Sequence, residues 1–179
     1  CEYGGDKGIF AYGYTGSFTA VSNLVNNSGV IASDVSGVGT ARSACGCEYG
    51  DDKGIFAYGE SSYNSMSNLV NTSGVIGSDV TGVGTARYYL AACGYGGDKG
   101  IFGYGYASGA VSMTNKISNE GVVATDVTGV GTVRYNLAAC EYAGDKGIFG
   151  YGESSNYSMT NLVSNAGVVA TDVTGVGTA

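Results

Sequence analysis

Histidine, proline and tryptophan are absent from this 179-residue sequence. Without histidine, the chain lacks the commonest general base and the usual catalytic triads. It also contains no nucleotide-binding or nucleophile-elbow motif. We therefore expect a protein that is not an enzyme and that uses no cofactor.

Charged side chains are scarce, and basic ones are the scarcer kind. They make up 13% of the residues, and the net charge is −7. An acidic chain is repelled by phosphate backbones and by anionic lipid surfaces, so we expect no nucleic-acid partner. No apolar run approaches the roughly 18 residues of a membrane-spanning helix, so we expect no membrane insertion.

Glycine and tyrosine are abundant, with 33 and 15 copies, and they recur in a repeated pattern. The motif GDKGIFAYG and a second block, SNLVNNSGVIASDVSGVGTAR, return four times with few changes. The copies of the motif lie at 5–13, 51–59, 97–105 and 144–152. A cysteine precedes each copy, which gives a period of about 46 residues. We interpret residues 1–179 as a single repeat domain with units 1–46, 47–92, 93–139 and 140–179.

Each unit contains four segments with the composition of short β-strands. A run of small residues leads through the GDKG turn to GIFAYG, and SNLV and GVVATDV follow. β-Branched and aromatic residues favour strands, and glycine supplies the positive φ of hairpin turns. The sequence therefore predicts an all-β protein, a β-propeller-like array of four blades with four strands each. The alternatives are an open β-solenoid and a filament-forming repeat array.

The order of these segments resembles the kelch repeat, in which an arginine precedes the inner strand and a glycine pair closes the second. The matching arginines are Arg42, Arg87 and Arg134. The glycine pair corresponds to Tyr-Gly at 12–13, 58–59, 104–105 and 151–152. The sequence of the repeats also resembles that of repetitive structural and fibre proteins of marine bacteriophages. These resemblances imply a β-propeller in a virion, as in a tail fibre, or in another extracellular structure.

Two sets of aspartates recur, and we interpret both as turn-capping residues. The first set precedes a lysine and consists of Asp6, Asp52, Asp98 and Asp145. The second set consists of Asp34, Asp79, Asp126 and Asp172. Each loop of the second set offers one carboxylate, whereas calcium needs several oxygen ligands close together. We therefore predict no metal site at these loops.

Five cysteines are present, of which Cys45 falls outside the repeat. The other four hold equivalent positions: Cys1, Cys47, Cys93 and Cys140. Zinc sites need several thiolate or histidine ligands at short spacings, and these cysteines lie far apart in the chain. We interpret them as small thiols buried in the inner strands.

The units differ most in the loop that follows each motif. Tyrosine is an effective contact residue on a rigid scaffold, and each of these loops carries one. The candidate partner contacts are Tyr14, Tyr63, Tyr106 and Tyr157.

We expect a structural or adhesive protein of a phage fibre or another extracellular assembly. Its partners would be other copies of itself, other structural proteins or cell-surface glycans. The alternatives are a carbohydrate-binding propeller module and the subunit of a self-assembling extracellular filament.

The sequence begins within the small-residue segment and ends before that segment would recur. We expect the first unit to have an incomplete inner strand, which a neighbouring chain or a flanking repeat would complete.

Overall fold

The computed structural model describes residues 1–179 and contains twelve β-strands. They form four three-stranded antiparallel sheets that follow one another along the chain. Sheet 1 contains β1 (Glu2–Tyr3), β2 (Lys7–Tyr14) and β3 (Phe18–Val25), and sheet 2 contains β4 (Ser43–Tyr49), β5 (Lys53–Glu60) and β6 (Asn64–Val70). Sheet 3 contains β7 (Ala91–Tyr95), β8 (Lys99–Gly103) and β9 (Thr114–Ile117), and sheet 4 contains β10 (Ala138–Tyr142), β11 (Lys146–Gly150) and β12 (Thr160–Val163). The structure has no helix that could cross a membrane, and the prediction of an all-β fold is confirmed.

The fourth predicted strand of each unit is not continuous, so the prediction of four full strands is wrong. In the first unit this segment touches β3 only at two isolated bridges, Val25–Ile31 and Ser22–Val35. Between them, the Asn23 side-chain amide donates hydrogen bonds to the Ala32 carbonyl and to a carboxylate. A side chain thus takes the place of part of the backbone ladder. The same two-bridge arrangement recurs in the other three units.

The GDKG segment forms the predicted hairpin turn. Tyr3 pairs with Lys7, which leaves three residues in the turn, and two of them, Gly4 and Gly5, have φ of 62° and 72°. Lys7 forms a 2.7 Å ion pair with Asp6 in water. Such an exposed pair contributes about 0–1 kcal/mol at most, so the turn depends mainly on its backbone.

Successive sheets stack face to face, and each contact encloses one apolar cluster. Along each second strand the side chains alternate between the two faces. In sheet 2, Ile55 packs towards sheet 3, whereas Phe56 packs towards sheet 1. Phe102 fills the equivalent place between sheets 3 and 2, and Phe149 fills it between sheets 4 and 3. Sheets 2 and 3 therefore each contribute an isoleucine to one neighbour and a phenylalanine to the other.

The outer faces of sheets 1 and 4 are exposed. Phe10 is 63% exposed, whereas its equivalent Phe102 is completely buried. At the other end Tyr151 is 46% exposed, although its equivalent Tyr104 is completely buried. The inner strand of the first unit is short, as expected, with the two residues of β1.

The stacking predicts a large difference between two chemically identical substitutions. Phe102→Ala should lower the free energy of unfolding by about 3–5 kcal/mol, because it leaves a cavity in a buried cluster. Phe10→Ala should cost roughly 0.5 kcal/mol or less, since that side chain lies at an exposed face. Urea denaturation at low protein concentration, followed by circular dichroism, measures both. Equal losses would contradict this arrangement of the sheets.

Candidate functional site

A buried arginine lies at the centre of each junction between units. At the first junction, Arg42 is completely buried, and its guanidinium carbon lies 4.5 Å from the centre of the Tyr12 ring. Its Nε donates to the Tyr58 carbonyl at 2.8 Å, and Nη2 donates to Asn68 Oδ1 at 2.7 Å. Nη1 donates to the Thr40 carbonyl at 3.0 Å. The arginine thus joins the ring of one sheet to the backbone and amide of the next.

The second set of aspartates belongs to these junctions. Asp79 accepts hydrogen bonds from the Thr40 backbone N–H at 3.0 Å and from its hydroxyl at 2.7 Å. Partial burial alone would raise the pKa of Asp79. Its hydrogen bonds from Thr40 and Asn68, together with the charge of Arg42, nevertheless hold that pKa below the usual value.

Our turn-capping interpretation is therefore wrong for Asp79, Asp126 and Asp172, which bind a threonine about 40 residues earlier in the chain. Each of the four aspartates also accepts a hydrogen bond from the asparagine 11 residues earlier in its own unit. Asp34, in the first unit, has this bond from Asn23 but no threonine donor.

The other two junctions repeat this geometry closely. Arg87 lies 4.3 Å from the Tyr58 ring, and Arg134 lies 4.2 Å from the Tyr104 ring. One hydrogen bond differs. Arg87 Nη2 and Asn115 Oδ1 are both buried without a partner, although the equivalent atoms bond in the other two junctions. The second junction is therefore the least well satisfied of the three.

The tyrosine of the Tyr-Gly pair reaches its arginine through an unusual backbone conformation. Tyr12, Tyr58, Tyr104 and Tyr151 have φ between 58° and 64°. That region is rare for residues with a Cβ and costs about 1–3 kcal/mol. The strand is irregular at the Tyr-Gly pair in sheets 1 and 2. Burial raises the pKa of Tyr58 to about 12, so its hydroxyl stays neutral and donates to the Val83 carbonyl.

The structure brings two of the four predicted contact tyrosines into one surface cluster and leaves two apart from it. Tyr63 and Tyr106 both lie against the ring of Tyr88, at centroid distances of 5.1 and 5.5 Å. Tyr14 instead packs on Phe18 of its own sheet at 5.3 Å. Tyr157 is partly exposed and makes no ring contact with the other three.

Five rings form this surface, which we call the tyrosine cluster: Tyr63, Tyr88, Tyr89, Tyr106 and Tyr135. Tyr88 packs edge-on against Tyr89 at 4.5 Å, and Tyr106 packs edge-on against Tyr135 at 5.4 Å. Tyr89 and Tyr135 stack at 6.2 Å. The cluster thus combines residues from the second and third units.

The backbone explains why these rings meet. Tyr88 and Tyr106 exchange two backbone hydrogen bonds, of 3.0 and 2.8 Å. The Asn136 N–H donates to the Tyr89 carbonyl at 2.9 Å, which is a second backbone connection between the second and third units. Sequence reasoning missed Tyr88, Tyr89 and Tyr135. The available signal was the tyrosine directly after Arg87 and Arg134, where the first junction has Ser43.

Two carboxylates, those of Glu60 and Glu153, lie beside the tyrosine cluster. The negative charge of Glu60, partial burial and a hydrogen bond to Glu60 together raise the pKa of Tyr89. Glu153 accepts a hydrogen bond from Asn136 at 3.4 Å beside it. A hydrogen bond with Tyr63 is the main cause that raises the pKa of Tyr88 to about 12. The surface therefore combines flat rings with acceptors and donors at its rim.

A second group of carboxylates lies on the inner strands. Burial and the negative charges of Glu2 and Glu141 raise the pKa of Glu48 to about 7. The third unit has Gly94 at this position, where an added Cβ would lie 2.9 Å from Glu48 Oε1 and in contact with Glu141 Oε2. Glycine there leaves room for the other two side chains.

The cysteines are all free thiols. Cys47 and Cys93 are buried as predicted, and burial raises the pKa of Cys93 to about 12. Cys140 is exposed, so the prediction of a buried thiol is wrong there. Its sheet has no neighbour on that face, whereas Cys47 and Cys93 are covered by the following sheet. No group of histidine, cysteine, aspartate or glutamate side chains has the geometry of a metal site.

No protein-family model matches the chain, and no curated protein matches it. The resemblance to kelch repeats and to phage fibre proteins therefore stays a prediction.

Glu48 predicts an unusual dependence of stability on pH. A carboxyl whose pKa is raised by folding stabilises the protein below its unfolded pKa, near 4.5, and that contribution is lost as the pH rises through about 7. Glu48→Gln should therefore raise the stability at pH 7.5 by about 1 kcal/mol, a value reduced for solvent screening, and change little at pH 4.5. Thermal unfolding across this range measures the effect. The exposed Glu120→Gln is the control, and an equal gain there would contradict the assignment.

Proposed function

We propose that the chain is a non-enzymatic structural and adhesive protein of an extracellular assembly such as a phage fibre. In this proposal its sheets are the blades of a β-propeller-like array. The observation that carries the proposal is the use of the repeated polar residues. Arginine, threonine and aspartate side chains join successive units at all three junctions. An enzyme brings such polar residues together in one active site. Here the same arginine, threonine and aspartate recur at each of the three junctions.

The complete burial of the three arginines also favours a structural role. A buried guanidinium is costly unless its donors are satisfied, and each one here bonds atoms of the following sheet. Separating two units would expose a buried guanidinium and an aromatic contact together. A chain built in this way resists separation at every junction.

The proposed location outside the cell or in a virion is supported by the composition of the surface. Charged residues are few, and the polar surface consists largely of serine, threonine, asparagine and glycine. The proposed partners are other copies of the chain or other structural proteins.

Immunogold electron microscopy tests this role directly. Antibodies raised against the purified chain should label extracellular fibres or particles in cultures of the cells that produce it, or of the virus that encodes it. Labelling confined to the cell interior would contradict the proposal. Pre-absorption of the antibodies with the purified chain is the control for specificity.

A carbohydrate-binding role is the second candidate, and the tyrosine cluster is the observation that favours it. Exposed aromatic rings stack on the apolar faces of sugars, and carboxylates beside them can accept hydrogen bonds from hydroxyl groups. Glu60 and Glu153 supply such carboxylates at this surface. Of the four tyrosines predicted as partner contacts, Tyr63 and Tyr106 carry this proposal, because they belong to the tyrosine cluster.

Paired substitutions test this surface with a matched control. Replacing Tyr63 and Tyr106 by serine should weaken binding to glycans on an array by about tenfold or more, since aromatic contacts of this kind contribute more than about 1 kcal/mol. Replacing Tyr14 and Tyr157 by serine should change binding little. Equal effects of the two pairs, or no binding by the unaltered chain, would contradict a glycan site at the cluster.

A further inference from the structure

The two exposed end faces carry the two unmatched halves of the junction that occurs inside the chain. We call the outer face of sheet 1 the head face, defined by Phe10, Asn23, Gly29 and Asp34. We call the outer face of the fourth unit the tail face, defined by Cys140, Tyr142, Tyr151 and Thr178. Apart from those of the arginine, the side-chain contacts described below have one partner on the head face and the other on the tail face.

The aromatic contact shows this most clearly. At each internal junction a tyrosine packs edge-on against the phenylalanine of the following sheet. The pairs are Tyr12–Phe56, Tyr58–Phe102 and Tyr104–Phe149, with ring centroids 5.4, 5.4 and 5.3 Å apart. The next tyrosine in this series is Tyr151, on the tail face, and the phenylalanine without a partner is Phe10, on the head face. Both are exposed.

The aspartate–threonine contact likewise has one unpaired member on each end face. Thr40, Thr85 and Thr132 each donate a 2.7 Å hydrogen bond from the hydroxyl group to the aspartate of the following unit. Thr178 continues this series on the tail face and is exposed. Asp34 is the aspartate that receives no threonine, and it lies exposed on the head face.

A third contact joins a tyrosine ring to a glycine. An added Cβ at Gly74, Gly121 or Gly167 would lie within 3.0 Å of the ring of Tyr3, Tyr49 or Tyr95 in the preceding unit. Those three rings are buried, whereas their equivalent Tyr142 on the tail face is 38% exposed. Gly29, the matching glycine on the head face, has nothing within 4 Å of an added Cβ.

We propose that the tail face of one copy binds the head face of a second copy of this chain. The inference rests on the proposed structural function and specifies the partner and the surfaces. The two faces differ, so the contact is heterologous, and repetition of it produces a filament or a closed ring of chains. It would bring Tyr151 onto Phe10, Thr178 onto Asp34 and Tyr142 onto Gly29.

The arginine is the one part of the junction that residues 1–179 do not supply at the tail face. On the head face a groove of about 320 Å³ lies between Phe10, Tyr12, Asn23 and Asp34. The equivalent residues of sheet 2 are those that surround Arg42. The contact between copies should therefore be weaker than the internal junctions.

Sedimentation velocity in a reducing buffer tests the proposal on the purified chain. The unaltered protein should shift with rising concentration from the 18.0 kDa mass of one chain to twice that mass and beyond. Phe10→Ser should block the head face, and Tyr151→Ser should block the tail face, so each variant alone should stay a monomer. Tyr63→Ser, at another exposed tyrosine, is the matched control and should associate like the unaltered chain.

A mixture of the two blocked variants identifies the orientation. Phe10→Ser keeps an intact tail face and Tyr151→Ser keeps an intact head face, so their mixture should form dimers and nothing larger. A contact between like faces would instead let one variant dimerise alone, which would overturn the head-to-tail arrangement. An unaltered chain that stays a monomer at all concentrations would also overturn it. Circular dichroism checks that both variants keep the β-sheet fold.

A variant with added sequence provides a gain-of-function test. A second copy of residues 134–139, placed after Ala179, restores the arginine and offers small residues that can extend β1 of the next copy. This variant should associate at least tenfold more tightly than the unaltered chain. No gain would argue against the use of the head-face groove.

The result also separates this inference from the proposed function. A monomeric chain that antibodies locate on extracellular fibres would refute the head-to-tail contact and leave the structural role standing. Association of the pure chain together with purely intracellular labelling would do the reverse.

Discussion

The arrangement of the sheets depends on one constraint: each buried arginine needs hydrogen-bond acceptors and an aromatic ring around it to offset the cost of its burial. Burial lowers the pKa of Arg87, yet a guanidinium remains charged in proteins, so the cost of desolvation has to be offset locally. Tyr58 lies beneath it and the Tyr104 carbonyl lies in front of it, on two different sheets. Satisfying one side chain therefore fixes the spacing and orientation of both sheets.

The similarity of the four sequence repeats follows from this constraint. Gly84 has a φ of 75°, and a Cβ there would meet the Asp126 carboxylate and lie 2.7 Å from the Asn115 amide nitrogen. Glycine is therefore required beside the arginine for close approach as well as for backbone conformation. The tyrosine of the Tyr-Gly pair accepts a strained φ for the same reason, because its ring must lie under the guanidinium. Each residue of the junction limits the others, so the copies stay alike.

The local features of the fold could be predicted from the sequence, whereas the contacts between units could not. The segment GIFAYG predicts a strand and the segment GDKG predicts a hairpin turn, because each of these structures depends only on a few adjacent residues. The fourth strand is discontinuous because the side-chain amide of Asn23 replaces backbone hydrogen bonds between strands. A prediction from strand propensity assumes that those backbone hydrogen bonds form. Asp79 resembles a turn cap in sequence, and only the fold shows that Thr40, 39 residues away, is its partner. Tyr88 and Tyr89 were missed for the same reason, because their partners lie in neighbouring units.

The junction also explains where the exposed surface of the units can vary. Arg87 and Arg134 hold the backbone at the point where Tyr88 and Tyr135 begin, so these rings are presented from a rigid base. At the first junction Ser43 follows the arginine and joins β4 instead, and the ring cluster has no counterpart there. A substitution directly after a fixed arginine therefore changes the surface without disturbing the contact beneath it. The units can therefore stay alike where they contact one another and differ at their exposed surface.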